Sequence, residues 1–209
     1  MSEVSLRFYQ ELNDFLSANR KKREFTVPFR PRNSIKDMIE SVGVPHTEVD
    51  LILVNGHSVE FSYIVQPDDQ VSIYPVYEAL DISDVTRLRP EPLRKIRFVS
   101  DTHLGRLARY LRLLGFDTLY SNIWKDDELA EIAACGNKRI LLTRDHGLLK
   151  RSKVTHGYFI RNDKPARQIR EVLSKFDLYR SVKPFTRCMR CNGLIRAIPR
   201  DRIIEQLPD

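Results

Sequence analysis

From residue 95 onward, short apolar runs alternate with helix-spaced apolar stripes, and two of the runs lead directly into an aspartate. Residues 95–100 read as a strand that closes on Asp101. Leu104, Leu107, Ala108, Leu111 and Leu114 recur at the spacing of one helical face, which Gly115 ends. Residues 118–120 read as a short strand, 126–134 as a helix, and 139–143 as a strand leading to Asp145. A short helix near 147–151, a strand over 154–160 and a helix over 168–176 complete the pattern. Such alternation builds a parallel sheet with helices on its faces, the α/β class. Ligands of open α/β sheets gather at the carboxyl ends of the strands. Asp101 and Asp145 are therefore expected to reach one crevice from two separate strands.

A third acid, Asp126, opens a helix within Lys125-Asp-Asp-Glu-Leu129. It is expected to be the N-cap, which leaves one oxygen able to point at a metal. Carboxylates that converge repel one another unless a cation lies between them. Hard oxygen ligands of this kind suit Mg²⁺ or Mn²⁺, which can activate water and stabilise an in-line phosphoryl displacement. Each acid also has a plainer role open to it: Asp101 as the cap of the following helix, Asp127 as a solvated first-turn acid, Asp117 as a turn residue. Asp163, after a strand, is a weaker ligand candidate. His103 and His146, close to the key acids, can touch phosphate or simply face solvent.

Charge divides the chain. Residues 1–89 hold 10 Lys/Arg and 14 Asp/Glu, whereas residues 90–209 hold 25 and 14. An acidic first half and a basic second half imply two domains with different partners, and the basic one suits a polyanion, nucleic acid being the first candidate. Arg106, Arg109 and Arg112 recur along the first helix of the second half; Arg144, Lys150 and Arg151 surround Asp145. Together they can form a phosphate track, or only a solvated basic surface. No apolar run is long enough to span a membrane, no signal peptide is evident, and three cysteines fit a reducing, cytoplasmic setting.

In the first half, residues 4–9 and 24–29 alternate as strands joined through an exposed Arg20-Lys-Lys-Arg23 turn. Ser34 and Asp37 form a capping-box pattern before a helix that Gly43 ends, and Asn55-Gly56 is a hairpin turn between 51–54 and 59–61. A last strand is expected over 71–77. This order, with Leu53-Val-Asn-Gly-His57, Val65-Gln-Pro-Asp-Asp69 and Val71-Ser-Ile-Tyr-Pro75, resembles the ubiquitin-like β-grasp sulfur carriers of thiamine and molybdopterin synthesis. Those carriers react through a terminal Gly-Gly. Here the chain continues into Glu78-Ala-Leu-Asp-Ile-Ser with no Gly-Gly, which argues against carrier chemistry and favours a module that binds a protein partner or regulates the rest of the chain.

The stretch from Phe98 to Asp117, then Asp126–Ala133, then Ile140-Leu-Leu-Thr-Arg-Asp-His-Gly-Leu-Leu149, resembles the PIN-like RNase domain first named from the C-terminus of the nematode mut-seven exonuclease. A bacterial group joins it to a ubiquitin-like domain as here. The resemblance implies an α/β PIN-like fold and Mg²⁺- or Mn²⁺-dependent RNase chemistry, with Asp101, Asp126 and Asp145 as catalytic and metal-binding acids. PIN domains often carry a further Glu between the first and third acids; no equivalent stands between residues 102 and 125. The family also ends in a zinc ribbon with two cysteine pairs. Cys188-Met-Arg-Cys191 matches the first pair, and the sequence stops at Asp209 before a second, which suggests truncation. A structural Zn²⁺ site needs four ligands, so Zn²⁺ is expected only if a dimer or a distant His such as His156 completes the ribbon. Cys135 reads as an ordinary buried or partly buried thiol. The expected organisation is a β-grasp domain over 1–78, a linker over 79–94, the PIN-like domain over 95–182 and a partial zinc ribbon over 183–209. Three functions stay open at this stage: a ribonuclease, a non-catalytic RNA-binding or ribosome-associated module, and an adaptor whose acidic domain recruits a partner or covers the basic half.

Overall fold

The computed structural model describes residues 2–75, 88, 96–135 and 139–199. The expected linker lies outside these residues apart from Leu88, which packs on the N-terminal core. The first domain is a five-stranded mixed sheet in the order β2-β1-β5-β3-β4, formed by β1 (Ser2–Phe8), β2 (Glu24–Phe29), β3 (Val49–Val54), β4 (His57–Ser58) and β5 (Gln70–Pro75). β1 pairs antiparallel with β2 and parallel with β5. Helix α1 (Ile35–Ser41) covers one face, with Ile35, Met38 and Ile39 buried. Its expected capping box is present: Ser34 accepts from the Asp37 N–H at 3.1 Å, and Asp37 accepts from the Ser34 N–H at 3.2 Å. This is a β-grasp fold.

Two details differ from the sequence reading. The chain leaving β1 forms a 3₁₀ helix over Gln10–Phe15, fixed by Asn13, whose side-chain amide donates to the Phe8 and Gln10 carbonyls. The return strand expected at 59–61 is shorter and earlier, at His57–Ser58.

The second domain is a four-stranded, all-parallel sheet: β6 (Phe98–Ser100), β7 (Thr118–Tyr120), β8 (Ile140–Thr143) and β9 (Gly157–Phe159), in the order β7-β6-β8-β9. α2 (Gly105–Leu113) and α5 (Pro165–Lys175) cover one face around Phe98, Leu107, Leu111 and Val172. α3 (Asp126–Ala134) and the single-turn α4 (His146–Leu149) cover the other, around Val99, Leu129, Leu141 and Leu149. This is the α/β architecture expected of a PIN-like domain. From β6 the chain moves outward to β7, then returns to the opposite side of β6 to lay down β8. That reversal creates a topological switch point between β6 and β8, where a crevice opens at the carboxyl ends.

Ser100, the last residue of β6, is fully buried, and its hydroxyl has no hydrogen-bond partner among the described residues. An unsatisfied buried hydroxyl is costly, so Ser100→Ala is expected to raise stability by about 1 kcal/mol in urea unfolding. A loss of stability would show that the hydroxyl is satisfied in solution.

No helix among the described residues is long and apolar enough to cross a membrane.

The candidate active site

Asp101 and Asp145 flank the crevice between β6 and β8. Asp101 is buried, and its carboxylate is held at both ends. Oδ1 accepts from the Thr102 N–H at 2.5 Å and the Thr102 hydroxyl at 3.1 Å. Oδ2 accepts from the Thr143 hydroxyl at 2.6 Å. The same Thr143 oxygen accepts the Asp145 N–H at 3.0 Å. One buried hydroxyl on β8 thus ties the carboxylate of one strand end to the backbone of the other. Asp145 caps α4 through Oδ1, which accepts from Gly147 N–H at 2.6 Å and Leu148 N–H at 3.4 Å. Its Oδ2 has no partner among the described residues, and the side chain is exposed.

Asp126 is placed differently from the expectation. Lys125 occupies the N-cap, and its N–H is bound by Glu128 Oε2 at 2.8 Å. Asp126 is the first helical residue, exposed, with its carboxylate 3.6 Å from the Arg151 guanidinium. Arg151 also pairs with Asp127. Among the described residues no group of three or more His, Cys, Asp or Glu is placed to hold a metal ion.

The basic residues divide into three kinds. Arg106 and Arg109 are exposed and carry no ion pair among the described residues. With His103, Tyr120, Asp163 and Gln168 they line a polar cleft of about 460 Å³ that begins at Thr102, next to Asp101. Gly105 lets Tyr120 close on this turn, because a Cβ there would meet the Tyr120 hydroxyl at 2.5 Å. Arg144, Lys150 and Arg151 are engaged within the protein: Arg144 with Asp163 and the Asn162 carbonyl, Lys150 with the Glu40 carbonyl at 2.9 Å, Arg151 with the two α3 acids. The pairs of Arg144 and Arg151 are largely solvated and cheap to exchange for phosphate.

Arg112 does not belong to the track. It is buried, donating to the Thr118 carbonyl at 2.8 Å and to the Met189 and Arg190 carbonyls at 3.1 and 2.7 Å. Residues three apart on a helix are rotated by about 60° from one another, so Arg112 lies about 120° round the helix from Arg106. α2 also runs away from the crevice.

That buried arginine anchors the cysteine segment at the opposite, amino-terminal end of the sheet. Asn192 accepts the Thr118 N–H at 3.1 Å and donates to Asp117 at 2.9 Å, while Arg139 holds Asp117 at 2.8 Å. Burial alone would raise the Asp117 carboxyl. The hydrogen bonds from Arg139 and Asn192, with the charges of Arg139 and Arg187, bring it below its ordinary range. Asp117 is thus a clamp rather than a simple turn residue. Cys188 and Cys191 lie in a tight knuckle closed by Cys188 N–H to the Gly193 carbonyl at 2.8 Å. The Cys191 and Arg190 N–H groups and the Cys191 thiol hold the Cys188 thiol below its usual range. Two thiols are half of a structural zinc site, and the described residues do not complete it. Cys135, which is exposed at the end of α3 rather than buried or partly buried as expected, and the half-exposed His156 are not in this knuckle.

His146 follows Asp145 and packs against Phe159 and, from the first domain, Phe15, with ring centroids 4.3 and 5.1 Å away. Burial and nearby Lys150 hold its imidazole below the ordinary value. Beside it lies a buried charge that the sequence did not single out. Glu48 of the first domain is 1% exposed and accepts the Phe159 N–H at 2.5 Å, with Arg161 at 3.3 Å. Arg161 also pairs with Asp14 at 3.1 Å and stacks over Phe15 and Tyr158.

A parallel α/β domain with flanking helices, two aspartates beyond its strand ends and a polar cleft beside them fits a PIN-like fold. The family model described as the Mut7-C RNAse domain matches residues 96–209, and the one described as Mut7-C ubiquitin matches residues 1–81. The chain belongs to the Mut7-C RNAse domain family, with that family's ubiquitin domain ahead of it. The second domain is accordingly of ribonuclease type, which implies RNA as its substrate class. No curated protein and no solved structure matches the chain.

Proposed function

We propose that the protein is a cytoplasmic, Mg²⁺- or Mn²⁺-dependent ribonuclease that hydrolyses RNA phosphodiesters in the crevice between β6 and β8. The observation that carries this reading is the Thr143 bridge, which fixes the Asp101 carboxylate relative to Asp145 at the switch point. The donor set fits the ion. Mg²⁺ keeps several waters and commonly takes only one or two carboxylates, with substrate phosphate oxygens filling other positions. Asp101 and Asp145 would hold it, and Asp126 joins if Arg151 turns to the substrate. What the ion supplies when bound is a lowered water pKa and neutralisation of the charge that grows on the phosphate.

The protein's own residues do the rest. Thr143 keeps Asp101 oriented, and Asp145 leaves Oδ2 open. Arg106 and Arg109 bind the RNA backbone where it passes Thr102, with Arg144 and Arg151 extending the contact. Incubation of the full chain with a single-stranded RNA oligonucleotide and Mn²⁺ is expected to give hydrolysis that EDTA abolishes and added Mn²⁺ restores. No hydrolysis with any divalent ion would sink the reading.

The pairing of Asp126 with Arg151 favours a second reading, a non-catalytic RNA-binding module. It requires salt-sensitive RNA binding that needs no metal and survives Asp145→Asn.

A further inference from the structure

The turn that carries Asp145 is too short to hold itself. α4 has four residues, and an isolated helical turn has no intrinsic stability. Its supports come from the strands beneath it and, repeatedly, from the other domain. Phe15 meets the His146 ring edge-on at 5.1 Å, the Thr47 hydroxyl donates to the Leu149 carbonyl at 3.5 Å, and Lys150 reaches the Glu40 carbonyl at 2.9 Å. Three residues beyond Arg151, His46 binds the Val154 carbonyl at 2.9 Å. The first domain therefore grips the segment from 146 to 154 along most of its length.

These contacts lie beside the crevice and not over it. Arg144, Asp145 and His146 stay exposed, so the first domain does not cover Asp145. We propose that the ubiquitin-like domain is a built-in wall of the nuclease site, with Phe15 the positioning residue that sets α4 and therefore Asp145 relative to Asp101. This rests on the ribonuclease reading for its effect on catalysis. The mechanical part does not, since it concerns only how firmly α4 is held. An error of about 1 Å in the placement of a catalytic group costs on the order of 100-fold in rate. A wall that fixes Asp145 acts on turnover more than on RNA affinity.

Two variants of the full chain approach the contact from opposite sides. Phe15→Ala removes the ring against His146. Gly157→Ala adds a Cβ that would meet Leu149 Cδ2 at 2.5 Å and Thr47 at 3.4 Å, wedging α4 against the first domain. Each is expected to lower kcat for Mn²⁺-dependent RNA hydrolysis by about 10–100-fold with KM within about threefold. Each should also speed amide exchange at Gly147 and Leu148, the two N–H groups that Asp145 caps. Phe15→Tyr, which keeps the ring, should restore both. Unchanged exchange at Gly147 and Leu148 in both variants would overturn the wall, as would a rise in KM with kcat intact. If Phe15→Ala does not fold, Gly157→Ala carries the test alone. Wild-type protein that fails to cut RNA would overturn the ribonuclease reading only, and the exchange measurement still decides whether the first domain holds α4.

Discussion

Asp101→Asn is expected to cut metal-dependent RNA hydrolysis about a thousandfold or more, equivalent to at least about 4 kcal/mol of transition-state stabilisation. The substitution keeps the shape of the side chain. An asparagine oxygen can still accept from the Thr102 N–H, so the cap at the start of the 3₁₀ turn Thr102–Leu104 survives. Two things are lost. The site gives up a negative charge with which it would hold the proposed divalent ion. The Thr143 hydroxyl, which now donates to Asp101 and accepts from the Asp145 N–H, would face a second donor. The variant should therefore remain folded, bind RNA through Arg106 and Arg109, and fail to cut it. Equal activity in wild type and variant would remove Asp101 from the site.

The second large effect is on stability. Arg161→Met should cost about 3–5 kcal/mol at neutral pH, because it leaves the Glu48 carboxylate buried without its partner. Burial already pushes the Glu48 carboxyl above the ordinary value of 4.5, opposed by Arg161 and the Phe159 N–H. An acid with a raised folded-state pKa contributes stability that is complete below its unfolded value and is lost as pH rises through the folded one. Removing Arg161 drives the Glu48 pKa further up, so the variant should regain stability as the pH is lowered from 7 toward 4.5. Glu48→Gln in the same chain should recover part of the loss at pH 7, since a neutral amide needs no counter-charge. Urea unfolding at pH 5 and 7 measures both. A cost under about 1 kcal/mol at pH 7 would mean that water reaches Glu48 in solution.

Where local chemistry decides, the sequence was readable. Ser34 and Asp37 specify their capping box within four residues, and the apolar stripe of α2 places its buried face. The alternation after residue 95 defines the parallel sheet and puts Asp101 and Asp145 at strand ends. The misses have physical reasons. Lys125 takes the cap that Asp126 was expected to fill, because Glu128 reaches back to its N–H. The 3₁₀ helix at Gln10–Phe15 has no periodicity to reveal it; Asn13 enforces it through bonds to Phe8, Gln10 and Lys22. Arg112 looked like its neighbours in composition and differs only in rotation about the helix and in what folds back over it. Thr143 was visible in Leu-Thr-Arg-Asp, yet its bridging role depends on strand order. The union of Glu48 with Arg161 and Phe159 joins residues more than 100 positions apart and has no local signature.

That separation governs the order of events as the chain is made. The first domain leaves the ribosome before residues 146–161 exist, and domains generally fold as they emerge. During that interval Glu48 is a hydrated carboxylate and Phe15 has no histidine to meet. Only when β9 and Arg161 have been added does the acid leave water and the wall close on α4. The crevice is thereby completed only after the first domain has emerged, and a nascent chain carries a folded ubiquitin-like domain well before it carries a finished nuclease.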